Sequence, residues 1–81
     1  VHIGARTCIA AHAMLGGSVW VGEDVWIGPS ASIKEGVKIG DGAYIGIGSN
    51  VLTDVPPRAI VAGNPAKILR YRPEGSYGYY L

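Results

Sequence analysis

The chain has 81 residues, a net charge of +1, and is 48% hydrophobic and 16% charged. That describes one small domain, too apolar for disorder and too near neutrality for a nucleic-acid-binding surface. One cysteine excludes an internal disulfide, one cysteine and two histidines are too few for a closed zinc site, and no stretch reads as a signal peptide or membrane span, so a cytoplasmic protein is expected.

A six-residue period runs from the start of the chain. Ile3, Ile9, Leu15, Val21, Ile27, Ile33, Ile39, Ile45 and Val51 follow one another at that spacing; each is position i of a repeat. Glycine fills i+1 at Gly4, Gly16, Gly22, Gly28, Gly40 and Gly46. Position i+4 is always small or β-branched, from Thr7 and Ala13 to Ser49 and Val55. Helices repeat apolar residues every three to four positions and strands every two, so a period of six means a short strand followed by a corner. The i residue points inward. The small i+4 residue is expected to fit the turn, and the glycine to allow positive φ or close backbone approach. Three units close a triangular coil, and residues 1–55 supply about three coils stacked in parallel, an all-β fold.

Residues one coil apart stack, which defines three outward columns at i+5: Cys8, Trp26 and Tyr44; Met14, Ser32 and Asn50; and His2, Trp20, Lys38 and Pro56. Regular exposed aromatics mark a subunit interface or a ligand wall. Val1 occupies an i+4 position, so the chain opens in mid-coil. The expectation is either a truncated protein or a first coil covered by a partner.

The period ends at Pro56-Pro57, and residues 56–81 read as a C-terminal cap. Asn64 suits a helix N-cap, Pro65 a first turn and Pro73 a stop, which predicts a short helix over about 65–72. Residues 74–81 carry three tyrosines and read as a loop that packs on a neighbour. Charge is uneven: residues 1–57 sum to −2, whereas 58–72 hold Arg58, Lys67, Arg70 and Arg72 with no acid. This points to an anion-seeking segment near the C-terminus.

Three stretches carry a resemblance: GEDVWIGPSASI at 22–33, GVKIGDGAYIGIGSNVLTDVPP at 36–57 and AIVAGNPAKILR at 59–70. Together they resemble the hexapeptide-repeat acyltransferases. The ending is similar to that of sugar and xenobiotic O-acetyltransferases, and IAAHAMLGGS at 9–18 to amino-sugar N-acyltransferases. The resemblance implies a left-handed parallel β-helix, a homotrimer, and acyl transfer from acetyl-CoA, or another acyl-CoA, to a hydroxyl or amine of a sugar-like small molecule. Such chemistry needs a general base and an oxyanion donor but no metal, since the thioester is already activated. His12, at i+3 on a corner, is the candidate base. Coenzyme A is expected along a groove between subunits, against the backbone at Gly28, Pro29, Gly46 and Ile47. Pro29 lacks an N–H, and Ser30 or the Gly28 amide is the expected substitute. Lys67 and Arg70 match positions that meet the adenosine phosphates, and Trp26 one that borders the acceptor.

Two other readings remain. A non-catalytic trimeric scaffold or truncated β-helix module would show the same repeat. A hexapeptide carbonic anhydrase would need three histidines around zinc, and His2 and His12 sit ten residues apart at different repeat positions.

Overall fold

The computed structural model describes residues 1–73; the tyrosine-rich tail lies outside the described residues. Nine two-residue strands follow the period: β1 (His2–Ile3), β2 (Cys8–Ile9), β3 (Met14–Leu15), β4 (Trp20–Val21), β5 (Trp26–Ile27), β6 (Ser32–Ile33), β7 (Lys38–Ile39), β8 (Tyr44–Ile45) and β9 (Asn50–Val51). They form the three faces of a left-handed parallel β-helix, in the orders β1-β4-β7, β2-β5-β8 and β3-β6-β9. The register is the one the period demands: Cys8 pairs Trp26, Ile27 pairs Ile45, and Trp20 pairs Lys38.

Two inward positions per repeat build the core, not one. Val21, Ile27, Ile33, Ile39, Ile45 and Val51 are buried at i. Val19, Val25, Ala31, Val37, Ala43, Ser49 and Val55 are equally buried at i+4. The i+4 residues are therefore small because they share the narrow interior, not because they sit in the turn. Burial fades at the first coil, where Ile3 and Ile9 are 45% and 37% exposed.

The glycines and the positive φ angles belong to different positions. At Gly28 an added Cβ would lie 2.9 Å from the Ile45 carbonyl oxygen, and at Gly40 it would lie 2.5 Å from the Pro57 nitrogen. The i+1 glycine thus permits close stacking of one coil on the next. Left-handed backbone falls at i+3 instead: Arg6, His12, Ser18, Asp24 and Ser30, all with φ near 60°, then Gly36, Gly42 and Gly48. These corners turn through αL, and from the second coil on the corner N–H bonds the coil beneath, as Asp24 does to the Ala5 carbonyl at 3.0 Å and Gly48 to that of Pro29 at 2.9 Å.

No helix follows the coils among the described residues, which corrects the expectation for 65–72. Instead β10 (Ala59–Gly63) adds in parallel to β8, with Ile60 opposite Tyr44 and Val61 opposite Ile45. Then β11 (Ala66–Tyr71) returns antiparallel on β10, giving a sheet ordered β11-β10-β8-β5-β2. Asn64 and Pro65, joined by a cis peptide, form the hairpin turn rather than a helix start. The reason is non-local. The open ladder of β8 takes β10 as a partner and β10 takes β11, whereas so short a helix has little stability of its own.

Candidate functional site

The fold carries residues one coil apart to the same corner. On the corner between the β2-β5-β8 and β3-β6-β9 faces, His12 comes from the first coil. Pro29 and Ser30 come from the second, and Ile47 and Gly48 from the third. Gly28 and Gly46 directly follow the strands that lead into it. His12, Gly28, Pro29, Gly46 and Ile47 thus lie along one edge of the prism. His12, Ser30 and Ile47 are exposed there. His12 sits on this corner in the left-handed region, at φ 62°.

The edge also shows which amides are committed. Gly28 donates to the Ile45 carbonyl at 2.8 Å, Ser30 to Ala11 at 3.0 Å and Gly46 to Val61 at 2.8 Å. The Gly28 and Ser30 amides are thus already engaged and cannot replace the donor that Pro29 lacks. The exposed Ser30 hydroxyl remains. The Ile47 amide enters no hydrogen bond among the described residues.

Lys67 and Arg70 lie on β11, at the far end of the adjoining sheet. Residues three apart on a regular strand face opposite sides. Here they do not, because the β10–β11 ladder shifts register between Ile60 and Val61. Lys67 opposes Ala62, Ile68 opposes Val61 and Arg70 opposes Ile60, which leaves Leu69 as the extra, bulged residue. Residues opposite one another share a face, and Ile60 stands over Tyr44 on the outward side. The bulge therefore turns both cations outward, a pair suited to a phosphate or another polyanion. Four strand spacings, roughly 19 Å, separate β11 from the His12 coil.

Trp26 is half-buried in the outward column of the same sheet, stacked on Tyr44 with ring centroids 4.6 Å apart. Arg72 completes this stack, its guanidinium carbon 5.5 Å from the Tyr44 ring centre and its Nη1 donating to the Gly42 carbonyl at 3.2 Å. Arg72 is 1% exposed; desolvation lowers its pKa, and its interaction with Tyr44 partly opposes that. The sequence reading counted Arg72 only as one more cation of a basic segment.

That segment is in fact divided. Arg58 lies on a different corner, beside a cavity of about 300 Å³ lined with Glu23, Asp24, Asp41, Gly42 and Pro57. Arg6 pairs there with Asp24 at 2.8 Å and Glu23 at 3.5 Å. Nothing in the hexapeptide reading singled out this corner, although the spacing of Arg6 and Asp24 would have stacked them. His2 is on another face, stacked flat on Trp20 at 5.0 Å, so the two histidines are not brought together. Cys8 is exposed beneath Trp26.

The bacterial transferase hexapeptide family (six repeats) matches residues 18–53. A comparison with curated protein sequences found no match. Solved structures with the same fold include a Neisseria gonorrhoeae serine acetyltransferase in complex with serine, 42% identical at a TM-score of 0.77, covering 80% of this chain and 30% of that one. A Brucella melitensis serine O-acetyltransferase is 32% identical at a TM-score of 0.80, with 84% and 29% covered. A Vibrio cholerae hexapeptide-repeat acetyltransferase complexed with acetyl coenzyme A is 26% identical at a TM-score of 0.73, with 89% and 60% covered. The chain spans about a third of the length of these serine acetyltransferases. Residues 18–53 thus match the bacterial transferase hexapeptide repeat, and the chain shares its left-handed β-helix with hexapeptide-repeat acetyltransferases.

Proposed function

We propose that this β-helix is the catalytic coil of an acyltransferase that moves an acetyl or other acyl group from a coenzyme A thioester to a hydroxyl or amine of a sugar-like small molecule. One observation carries the reading: a single corner aligns His12, Ser30 and the unengaged Ile47 amide, and the adjoining sheet ends in two outward cations. The acyl donor supplies an activated carbonyl. Lys67 and Arg70 hold its phosphates, the corner at Gly28, Pro29, Gly46 and Ile47 borders its arm, and Trp26 borders the acceptor. The 19 Å span, roughly, is the scale of an extended pantetheine arm with its diphosphate.

His12 accepts the proton of the acceptor hydroxyl or amine as that group attacks the thioester carbonyl. The tetrahedral oxyanion takes a hydrogen bond from a donor such as the Ser30 hydroxyl or the Ile47 amide. Collapse breaks the carbon–sulfur bond, and the thiolate leaves with the proton returned from His12. Transfer is direct, through a ternary complex. Cys8, with no histidine beside it, forms no acyl intermediate.

In this reading the protein is a homotrimer, with the His12 corner as one wall of a groove between copies. Exposed Met14, Trp20 and Ile47 offer apolar surface for such packing.

Titration calorimetry with coenzyme A, followed by a thiol-release assay with acetyl-CoA over a panel of amino sugars, sugars and serine, tests the proposal. Micromolar binding and turnover are expected. A trimer that neither binds coenzyme A nor releases thiol would be the scaffold instead.

A further inference from the structure

Six residues of β11, Ala66 to Tyr71, face five of β10, Ala59 to Gly63. One residue must bulge if both ends of the hairpin are held, and both are. At the tip, Asn50 Nδ2 donates to Asn64 Oδ1 at 3.1 Å. At the base, the Arg72 amide donates to the Arg58 carbonyl at 2.7 Å, just before β10 begins. The same residue's guanidinium is buried on the third coil, against the Gly42 carbonyl and the Tyr44 ring. Between these anchors β11 is held by its backbone ladder with β10 rather than by side-chain packing, because every side chain from Lys67 to Tyr71 is exposed.

An unbulged register is the competing state. Leu69 would then oppose Ile60, Arg70 would oppose Ala59, and the Arg70 side chain would turn to the other face of the sheet. Lys67, nearer the tip, would not move. The slip would also carry Arg72 one residue past Arg58, roughly 3.3 Å, breaking its anchor.

We propose that Arg72 is a positioning residue for donor binding: its buried anchor enforces the bulge at Leu69 and so keeps Arg70 beside Lys67 on the outward face. The inference rests on the reading of Lys67 and Arg70 as ligands of the donor phosphates.

The test compares Arg72→Met, Arg70→Ala and Lys67→Ala, singly and in pairs, by coenzyme A affinity and by the KM and kcat for acetyl-CoA. Arg72→Met should weaken coenzyme A by about as much as Arg70→Ala does, roughly threefold to tenfold, with kcat at saturation unchanged. In the Arg72→Met background, Arg70→Ala should add nothing, while Lys67→Ala keeps its full effect. Affinity for acetylpantetheine, which lacks the phosphates, should not change. Deleting Leu69 from the Arg72→Met protein removes the residue that must bulge, returns Arg70 opposite Ile60 and should restore affinity. A structural role alone predicts loss with both donors and no rescue. Unchanged affinity in Arg72→Met, or no rescue by the deletion, overturns the proposal. Cross-strand amide contacts in NMR spectra read the register without any ligand. If Arg70 leaves Ile60 in Arg72→Met, yet the unaltered protein does not bind coenzyme A, the donor reading falls and the register lock stands. If Arg70 stays opposite Ile60, the lock itself is refuted.

Discussion

Ile27 and Ile45 lie directly over one another on the same face, paired in register and both without solvent exposure. Each fills the bore of its coil, and neither has room to be replaced by a neighbour. Ile27→Ala or Ile45→Ala should therefore cost about 2–5 kcal/mol in denaturant unfolding. Ile3→Ala, at the half-exposed end, should cost roughly half as much. Equal losses at Ile3 and Ile27 would mean that the first coil is covered in solution.

Close stacking makes Gly28 intolerant of a side chain. Its Cβ would stand 2.9 Å from both the Ile45 oxygen and the Ile47 nitrogen, and the Ile45 oxygen cannot yield without breaking its bond from the Gly28 amide. Gly28→Ala should lose about 1–3 kcal/mol. Gly17 has open space around its Cβ position and no positive φ, so Gly17→Ala should gain up to about 1 kcal/mol through the unfolded chain. Thermal or chemical unfolding of the two variants decides the point.

His12 is held at φ 62°, where asparagine is tolerated better than alanine. His12→Asn is thus the cleaner variant. It should lower kcat by about 10²–10⁴-fold with the donor KM little changed, and Cys8→Ala should be nearly silent. Full activity in His12→Asn, or a trapped acyl-Cys8, would reject the assignment.

Lys67→Ala and Arg70→Ala should each raise the KM for acetyl-CoA roughly threefold to tenfold, and by more at low ionic strength, where phosphate attraction is unscreened. Arg58 lies on the acidic corner instead, so Arg58→Asn, which keeps the αL backbone, should leave KM unchanged. A salt-independent effect at Lys67 would argue against a phosphate contact.

Sedimentation equilibrium should give three copies per particle at micromolar concentration. A monomer would leave the His12 corner without its second wall.

The coils were legible because a side chain's place in them depends only on its residue number within the repeat. That is why Cys8, Trp26 and Tyr44 could be stacked from sequence. The αL corners were missed, although Asp24, Gly36, Gly42 and Gly48 are residues that suit them. The hairpin was misread because Asn64-Pro65 fits a helix start and a tight turn equally well. The choice was made by the unpaired ladder of β8, far upstream in the chain. Arg72 was unreadable for the same reason, since its role depends on Gly42 and Tyr44.

The strict column stacking has a consequence for how such a chain can change in length. Inserting six residues rotates everything downstream by one side of the prism, so Tyr44 and Arg72 would no longer stand over Trp26. Only a whole added turn preserves the alignment of the His12 edge. Insertions at a corner escape this constraint, because they extrude as loops and leave the following strand in phase. New recognition surface is therefore gained most easily at the edges, beside His12, while the bore lengthens only in steps of a full turn.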